Sequence, residues 1–157
     1  MKLEAGEAIF QDAGVPHAYL EGQNIELMAN SDNVLRAGLT PKHVDIPELM
    51  EHVKFEGVQP HVFRGELLKD GIESVFKSPA PDFELSNIVI NDIHEYRHQS
   101  QTAQILLVMD GSVSFEEEGN TIECKKGQAI FIGANCSYTL KSSSGAILYK
   151  ATTPIAE

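Results

Sequence analysis

The sequence predicts a mainly β protein: a jelly-roll barrel preceded by a partial set of strands and a short helix. Two observations support this fold class. Between Leu107 and Lys150, short β-rich runs alternate with turn residues at the spacing typical of a sandwich or barrel. The region before the barrel has fewer strand-like runs and one stretch of helical periodicity.

The barrel is predicted to occupy residues 58–157. Asp110-Gly111 has the composition of a tight hairpin turn, because glycine readily adopts the positive φ that such a turn requires. With two further runs at 72–78 and 83–90, residues 58–154 suffice for a complete antiparallel barrel. The strand-like runs after these two are ILLVM, SVSFEEE, TIECK, QAIFI, CSYTLK and AILYKA.

Residues 1–40 are predicted to form the terminal strands of an incomplete first domain. Four runs are strand-like, EAIFQ, HAYLE, IELMA and NVLRA, but so few strands do not bury a sheet face independently. Residues 41–57 are predicted to be a helix and linker. Asp45 can cap the helix with Pro47 in its first turn, and apolar residues recur from Ile46 to Val53 at helical spacing.

Residues 3–19 and 124–140 are similar to each other at a constant offset, with Ala8-Ile9-Phe10 matching Ala129-Ile130-Phe131. Such a repeat indicates one supersecondary unit used in two domains. The copies differ where chemistry is possible, because His17 in the first copy corresponds to Tyr138 in the second.

Charge and composition exclude several functions. The net charge of −11 disfavours nucleic acid and anionic membranes as partners, and no basic cluster offsets it. The chain has no transmembrane run and no secretory signal pattern at its start, so we expect a cytoplasmic protein. Cys124 and Cys136 lack metal-site spacing and are expected to be buried thiols.

The spacing of Gly6, Asp12, Gly14 and His17 resembles the second conserved motif of the cupin superfamily, whose final histidine is a metal ligand. A glycine turn between two strands can direct an imidazole into a barrel, and neutral imidazole is a good ligand for zinc. Taken alone, a single histidine is more often a packed or hydrogen-bonded side chain than a metal ligand.

Residues 16–56, including the string MANSDNVLRAGLTPK, resemble the type I mannose-6-phosphate isomerase family, and the rest of the chain resembles that family's C-terminal cupin-like domain more loosely. The family interconverts mannose 6-phosphate and fructose 6-phosphate with one bound Zn. The resemblance implies that His17 is a zinc ligand, that Arg36 is the catalytic arginine and that Asp32 matches a nearby acidic residue. We take Arg36 and Asp32 as catalytic candidates, with a surface ion pair between them as the alternative. Lys42 is a candidate for binding the substrate phosphate, with a solvated lysine as the alternative.

The family's other metal ligands come from a motif that precedes the second motif, and only five residues precede Gly6. We therefore expect a C-terminal part of the isomerase that is inactive alone and does not stably bind Zn. Unpaired apolar strands at the N-terminus favour a homodimer or folding back onto the barrel. The alternative function is a non-catalytic cupin module that binds a sugar or another protein chain.

The barrel predicted for residues 58–157 follows the incomplete first domain, and we call it the second barrel. It is expected to lack a metal site. Its first motif would place His98, Ser100 and Gln104 at ligand positions, and its second would place Tyr138 there. One histidine among four positions does not hold zinc, which needs three or four protein ligands. Solvated side chains are expected for the five histidines other than His17; these are His43, His52, His61, His94 and His98.

Overall fold

A computed structural model describes residues 1–31, 33–92 and 94–155. Most of the regular structure is antiparallel β, in agreement with the predicted class. The elements in chain order are β1 (Glu7–Ile9), α1 (Ile46–His52), β2 (Val62–Arg64), β3 (Glu66–Leu67), β4 (Glu73–Phe76), β5 (Glu84–Ile90), β6 (Tyr96–Gln99), β7 (Gln104–Glu117), β8 (Asn120–Lys125), β9 (Ala129–Ile132), β10 (Ser137–Lys141) and β11 (Ala146–Thr152).

Nine of the strands form one curled sheet that makes a half-barrel. Its main path runs β3-β4-β5-β11-β7-β10-β6, while β8 and β9 also pair with β7. The first half of β7 pairs with β11 and β9, and its second half pairs with β10 and β8. The long strand β7 therefore joins the two halves of the barrel wall.

The predicted hairpin turn at Asp110-Gly111 is wrong, because β7 continues through both residues. A register shift opposite β11 leaves Met109 as an extra residue, and such a bulge bends a strand without ending it. Gly111 has φ +72°, and a Cβ there would lie 2.2 Å from the Gly145 carbonyl oxygen. Glycine is thus required by the close approach of two strands, not by a turn.

Alternation along the strands separates the core from the outside. Strands β7 and β11 place every second side chain in the interior, where Leu106, Val108 and Leu148 are fully buried. Burying each such side chain contributes about 1.5–3 kcal/mol relative to exposure. The core includes residues from β5, β6, β8, β9 and β10 as well, among them Ile88, Ile90, Tyr96, Cys124, Ile130, Ile132, Tyr138 and Leu140.

The N-terminal region forms less regular structure than predicted. Of its four strand-like runs, only the first contains a strand in the described residues, β1, which pairs antiparallel with β2. Runs 17–21, 25–29 and 33–37 have no ladder partner and are not strands. The β1–β2 pair joins the predicted domains 1–40 and 58–157. The boundaries of these domains stay predictions. The homodimer also stays a prediction.

The helix α1 confirms the predicted cap. The Asp45 carboxylate accepts a hydrogen bond from the Glu48 backbone N–H at 3.1 Å, and Pro47 lies in the first turn. The helix ends at His52, and Ile46 and Met50 remain 63% and 56% exposed, so its apolar face is not buried. At seven residues α1 is too short to cross a membrane, and the described ranges hold no longer apolar helix.

Candidate functional site

The turn that precedes His17 is fixed by Gly14. This glycine has φ +79°, and a Cβ there would lie 2.8 Å from the backbone oxygen of His52. Its own carbonyl accepts a hydrogen bond from the Lys54 backbone N–H at 2.9 Å. The end of α1 therefore packs directly against the loop that leads to the histidine, and any larger residue at position 14 is excluded.

The His17 ring is exposed and has one nitrogen engaged. Its Nδ1 lies 3.1 Å from the Val15 carbonyl oxygen. A carbonyl can only accept, so Nδ1 carries a proton, and in the neutral imidazole Nε2 then has the lone pair. Metal-bound histidines commonly use this arrangement, in which a backbone acceptor orients the ring. Tyr19 contacts the ring edge-on, with centroids 5.6 Å apart.

His17 fits zinc as one ligand of a larger set. Within the described ranges, His17 belongs to no group of three or more metal-donor side chains; the one such group is Glu48, Glu51 and His52 on the exposed side of α1. Zinc in a catalytic site needs three protein ligands. In the described residues, His17 therefore lacks the companions that a three-ligand zinc site requires, and its role as a zinc ligand stays a prediction.

In the described part of the chain, no hydrogen bond or ion pair joins Arg36 or Lys42 to His17. Arg36 is partly exposed, and among the described residues its guanidinium pairs with no carboxylate. Lys42 is exposed, and its backbone N–H donates to Thr40 Oγ1 at 3.2 Å. Asp32 lies outside the described residues. The catalytic role of Arg36 and Asp32 and the phosphate role of Lys42 stay predictions.

Three of the four ligand positions predicted for the second barrel converge in its interior. Tyr138 Oη donates to Gln104 Oε1 at 2.9 Å, and Gln104 Nε2 lies 3.1 Å from His98 Nε2. Because the Gln104 amide nitrogen donates, His98 Nε2 accepts and the imidazole is neutral. Ser100 instead donates to the Gly133 carbonyl oxygen at 2.6 Å and stabilises a loop.

A buried ion pair adjoins this network and was not predicted. Lys150 Nζ lies 2.6 Å from Glu73 Oε1, with side chains 5% and 3% exposed. Tyr96 Oη donates to Glu73 Oε2 at 2.6 Å. Burial favours the neutral carboxyl, but the Lys150 ammonium and the hydrogen bonds to the carboxylate, including that from Tyr96, together hold the pKa of Glu73 below its usual value. Strand alternation is the signal for this pair, since Lys150 continues the inward series of Ala146 and Leu148.

The prediction that His98 is solvated is wrong. The ring is half-buried, stacked on Tyr96 at 5.6 Å and packed against Tyr138 at 5.6 Å. Burial, together with the positive charge of Lys150, lowers the pKa of His98. One neutral imidazole beside an ammonium does not suit a divalent cation, so the donor set of this interior does not fit zinc.

We expect acid to destabilise the barrel through His98. The folded-state pKa lies below the unfolded value of about 6.5, so the unfolded chain binds the proton first as pH falls. The free energy of unfolding should decline as pH falls below about 6.5 and continue to decline until the folded-state pKa is passed. Urea unfolding between pH 5 and 7.5 measures this slope for the wild type and for His98→Gln.

His98→Gln should flatten the decline, because glutamine does not titrate. His61→Gln, at an exposed position just before β2, is the control. A His98→Gln variant that keeps the full wild-type slope between pH 5 and 6.5 would contradict the assignment.

The curled antiparallel sheet, the glycine-centred turns and the inward ligand positions define the cupin class of proteins. Residues 73–149 match the family model described as the cupin domain of mannose-6-phosphate isomerase. This match covers most of the half-barrel and confirms the predicted fold class.

The chain belongs to the mannose-6-phosphate isomerase family and corresponds to its C-terminal part. It is 44% identical over 135 residues to mannose-6-phosphate isomerase of Escherichia coli strain K12, covering 86% of this chain and 34% of that protein. The isomerase of Bos taurus is 40% identical over 148 residues, with 90% and 35% covered. The chain thus spans about a third of the length of these relatives.

A solved structure supports the same relationship. Mannose 6-phosphate isomerase from Salmonella typhimurium, bound to fructose 6-phosphate and zinc, matches with a TM-score of 0.67 and 33% sequence identity. The match covers 82% of this chain and 32% of the Salmonella chain. The predicted family is confirmed. The bound zinc is observed in the Salmonella isomerase.

Proposed function

We propose that the chain forms the C-terminal part of a zinc-dependent aldose-ketose isomerase that interconverts mannose 6-phosphate and fructose 6-phosphate. The observation that carries this proposal is the 44% identity to the E. coli isomerase over 86% of the chain. In this proposal the chain supplies some active-site groups, while the remaining groups come from the other two thirds of the enzyme. The 157 residues alone are then inactive.

His17 would contribute one metal ligand. Its Nδ1–H is held by the Val15 carbonyl, which leaves Nε2 available and orients the ring. A bound zinc ion supplies Lewis acidity that polarises the sugar oxygens. Gly14 and the end of α1 hold the turn before His17 in place, so the ligand is positioned before the rest of the site is completed.

Arg36 would stabilise charge that develops on the substrate. Moving the carbonyl between C1 and C2 passes through an enediolate, and a preorganised cation stabilises that anion. An arginine is always charged and can also hold a phosphate through two parallel hydrogen bonds. Lys42 and Asp32 remain proposed for phosphate binding and catalysis.

A grafted enzyme tests this proposal. The part of E. coli isomerase that matches this chain is replaced by the 157 residues, and turnover of mannose 6-phosphate is followed in a coupled assay with zinc. We expect activity, because the graft reunites His17 and Arg36 with the missing ligands. A folded graft that binds zinc but shows no turnover would contradict the proposal.

A non-catalytic cupin module that binds a sugar or another chain is the second candidate. One observation favours it: the second barrel carries Gln104 and Tyr138 at ligand positions and does not suit a metal. Titration of the purified chain with mannose, followed through the His98 ring resonances, distinguishes the two. Saturable shifts in the absence of zinc, combined with an inactive graft, would favour the module.

A further inference from the structure

The outer side of the half-barrel carries an apolar surface that the core does not explain. It consists of the outward side chains of four adjacent strands, β5, β11, β7 and β9. We call these residues the outer face; they are Leu85, Asn87, Val89, Ile105, Leu107, Ala129, Phe131, Ile147, Tyr149 and Ala151. Three of its side chains are strongly exposed, with Phe131 at 72%, Ile105 at 50% and Val89 at 49%.

Registers place these side chains next to one another. Leu85 lies opposite Ala151, which lies opposite Ile105, and Ile105 lies opposite Phe131. A second row contains Asn87, Tyr149, Leu107 and Ala129 in the same strand order. Neighbours at these positions are about 4.5–5.5 Å apart, so the rows form one continuous surface.

The outer face contains no charged side chain, and Asp110 lies only at its edge. A chain with 23 acidic and 12 basic residues would be expected to place several of them on a solvated sheet face. The four strands are largely apolar on both sides, since most of the alternate residues form the core; the buried polar exceptions are Ser86, Gln104 and Lys150. Sheets with two apolar faces are covered on both, whereas solvated antiparallel sheets alternate apolar and polar residues.

We propose that the outer face is the surface on which the remaining two thirds of a mannose-6-phosphate isomerase packs, an inference that rests on the proposed function. The relatives carry about twice as much further polypeptide as this chain matches, with 34% of the E. coli protein covered. A second copy is disfavoured, because each copy brings a net charge of −11. The partner surface is apolar, because the outer face offers no charge for pairing.

Cysteine labelling tests the proposal in the free chain and in the graft. Phe131→Cys places a thiol at a strongly exposed position of the outer face, 72% exposed, and Ile122→Cys on β8 is the control at a site that is 50% exposed. The native thiols contribute little background. Cys124 is buried, and burial together with the Glu117 carboxylate raises the pKa of Cys136 to about 11, which suppresses the reactive thiolate.

We expect a maleimide to label residue 131 about tenfold or more slowly in the graft than in the free chain, because a covered thiol reacts only when the interface opens. Residue 122 should react at the same rate in both. Equal labelling of residue 131 in both proteins would overturn the proposal. Protection in the free chain that increases with its concentration would also overturn it, in favour of a second copy.

The outcome is separable from the proposed function. Protection of residue 131 in an inactive graft would leave the interface standing and refute the isomerase role. Turnover by a graft in which residue 131 is labelled as fast as in the free chain would support the isomerase role and refute the interface. If the graft does not fold, the two cysteine variants are labelled after co-expression with the unmatched part of E. coli isomerase as a separate chain, and the same protection is expected.

Discussion

Replacing Arg36 with alanine in the grafted isomerase is expected to lower kcat by about 10²–10³-fold, the usual cost of removing one preorganised group that stabilises developing negative charge. The loss should appear in kcat more than in KM if the guanidinium acts on the enediolate. A loss mainly in KM would indicate that it holds the phosphate in ground and transition states alike. Steady-state kinetics in both directions separate the two roles.

Arg97→Ala is the matched control for Arg36. Arg97 lies on β6 and pairs with Glu95 at 2.6 Å on the surface of the second barrel. We expect its removal to leave kcat unchanged. Arg36→Lys should recover part of the activity, since lysine keeps the charge and loses the two parallel hydrogen bonds. An Arg36→Ala graft that matches the unmutated graft would exclude Arg36 from catalysis.

Breaking the buried ion pair is expected to cost the most stability. Glu73→Gln leaves the Lys150 ammonium buried without a counter-ion, and Lys150→Met leaves the Glu73 carboxylate buried without a counter-ion. Each should lower the free energy of unfolding by about 3–5 kcal/mol. The double variant should recover most of this loss, because no charge remains buried and the amide oxygen introduced by Glu73→Gln can still accept from Tyr96. Urea unfolding measures all three.

Lys141→Met is the control for the ion pair. Lys141 Nζ lies 2.7 Å from Glu116 Oε2, but both side chains are partly exposed, at 41% and 36%. Exposed pairs of this kind contribute about 0–1 kcal/mol. If Glu73→Gln and Lys150→Met cost no more than this control, the pair is solvated in solution and the described burial is wrong.

Alternation and turn chemistry were sufficient to predict the barrel strands, because those signals act over a few residues. The cap of α1 was predictable for the same reason, since Asp45 needs only the N–H of Glu48. The path of β7 was not predictable from Asp110-Gly111. Whether that pair turns or continues depends on Gly145 and β11, which lie more than thirty residues away in sequence.

Strand propensity alone misled in residues 17–37. These runs have β-type residues, but a strand exists only when another strand supplies its ladder. Among the four N-terminal runs, only the one that contains Glu7–Ile9 finds a partner in the described residues. Exposed apolar side chains such as Leu20, at 94%, are the consequence. In the second barrel, motif spacing selected His98, Gln104 and Tyr138, which converge in the structure, although His98 was expected to be solvated. Lys150 was missed because a lysine near the end of a strand-like run ordinarily faces solvent.

The central claim is that this chain holds one zinc-ligand imidazole and one catalytic guanidinium of a site whose other groups lie elsewhere in the isomerase. The most direct measurement is turnover of mannose 6-phosphate by the purified 157-residue chain, with and without added zinc. The account predicts no turnover above background in either case. Sustained zinc-dependent turnover that disappears with His17→Ala would show a complete site within these residues and would contradict the account.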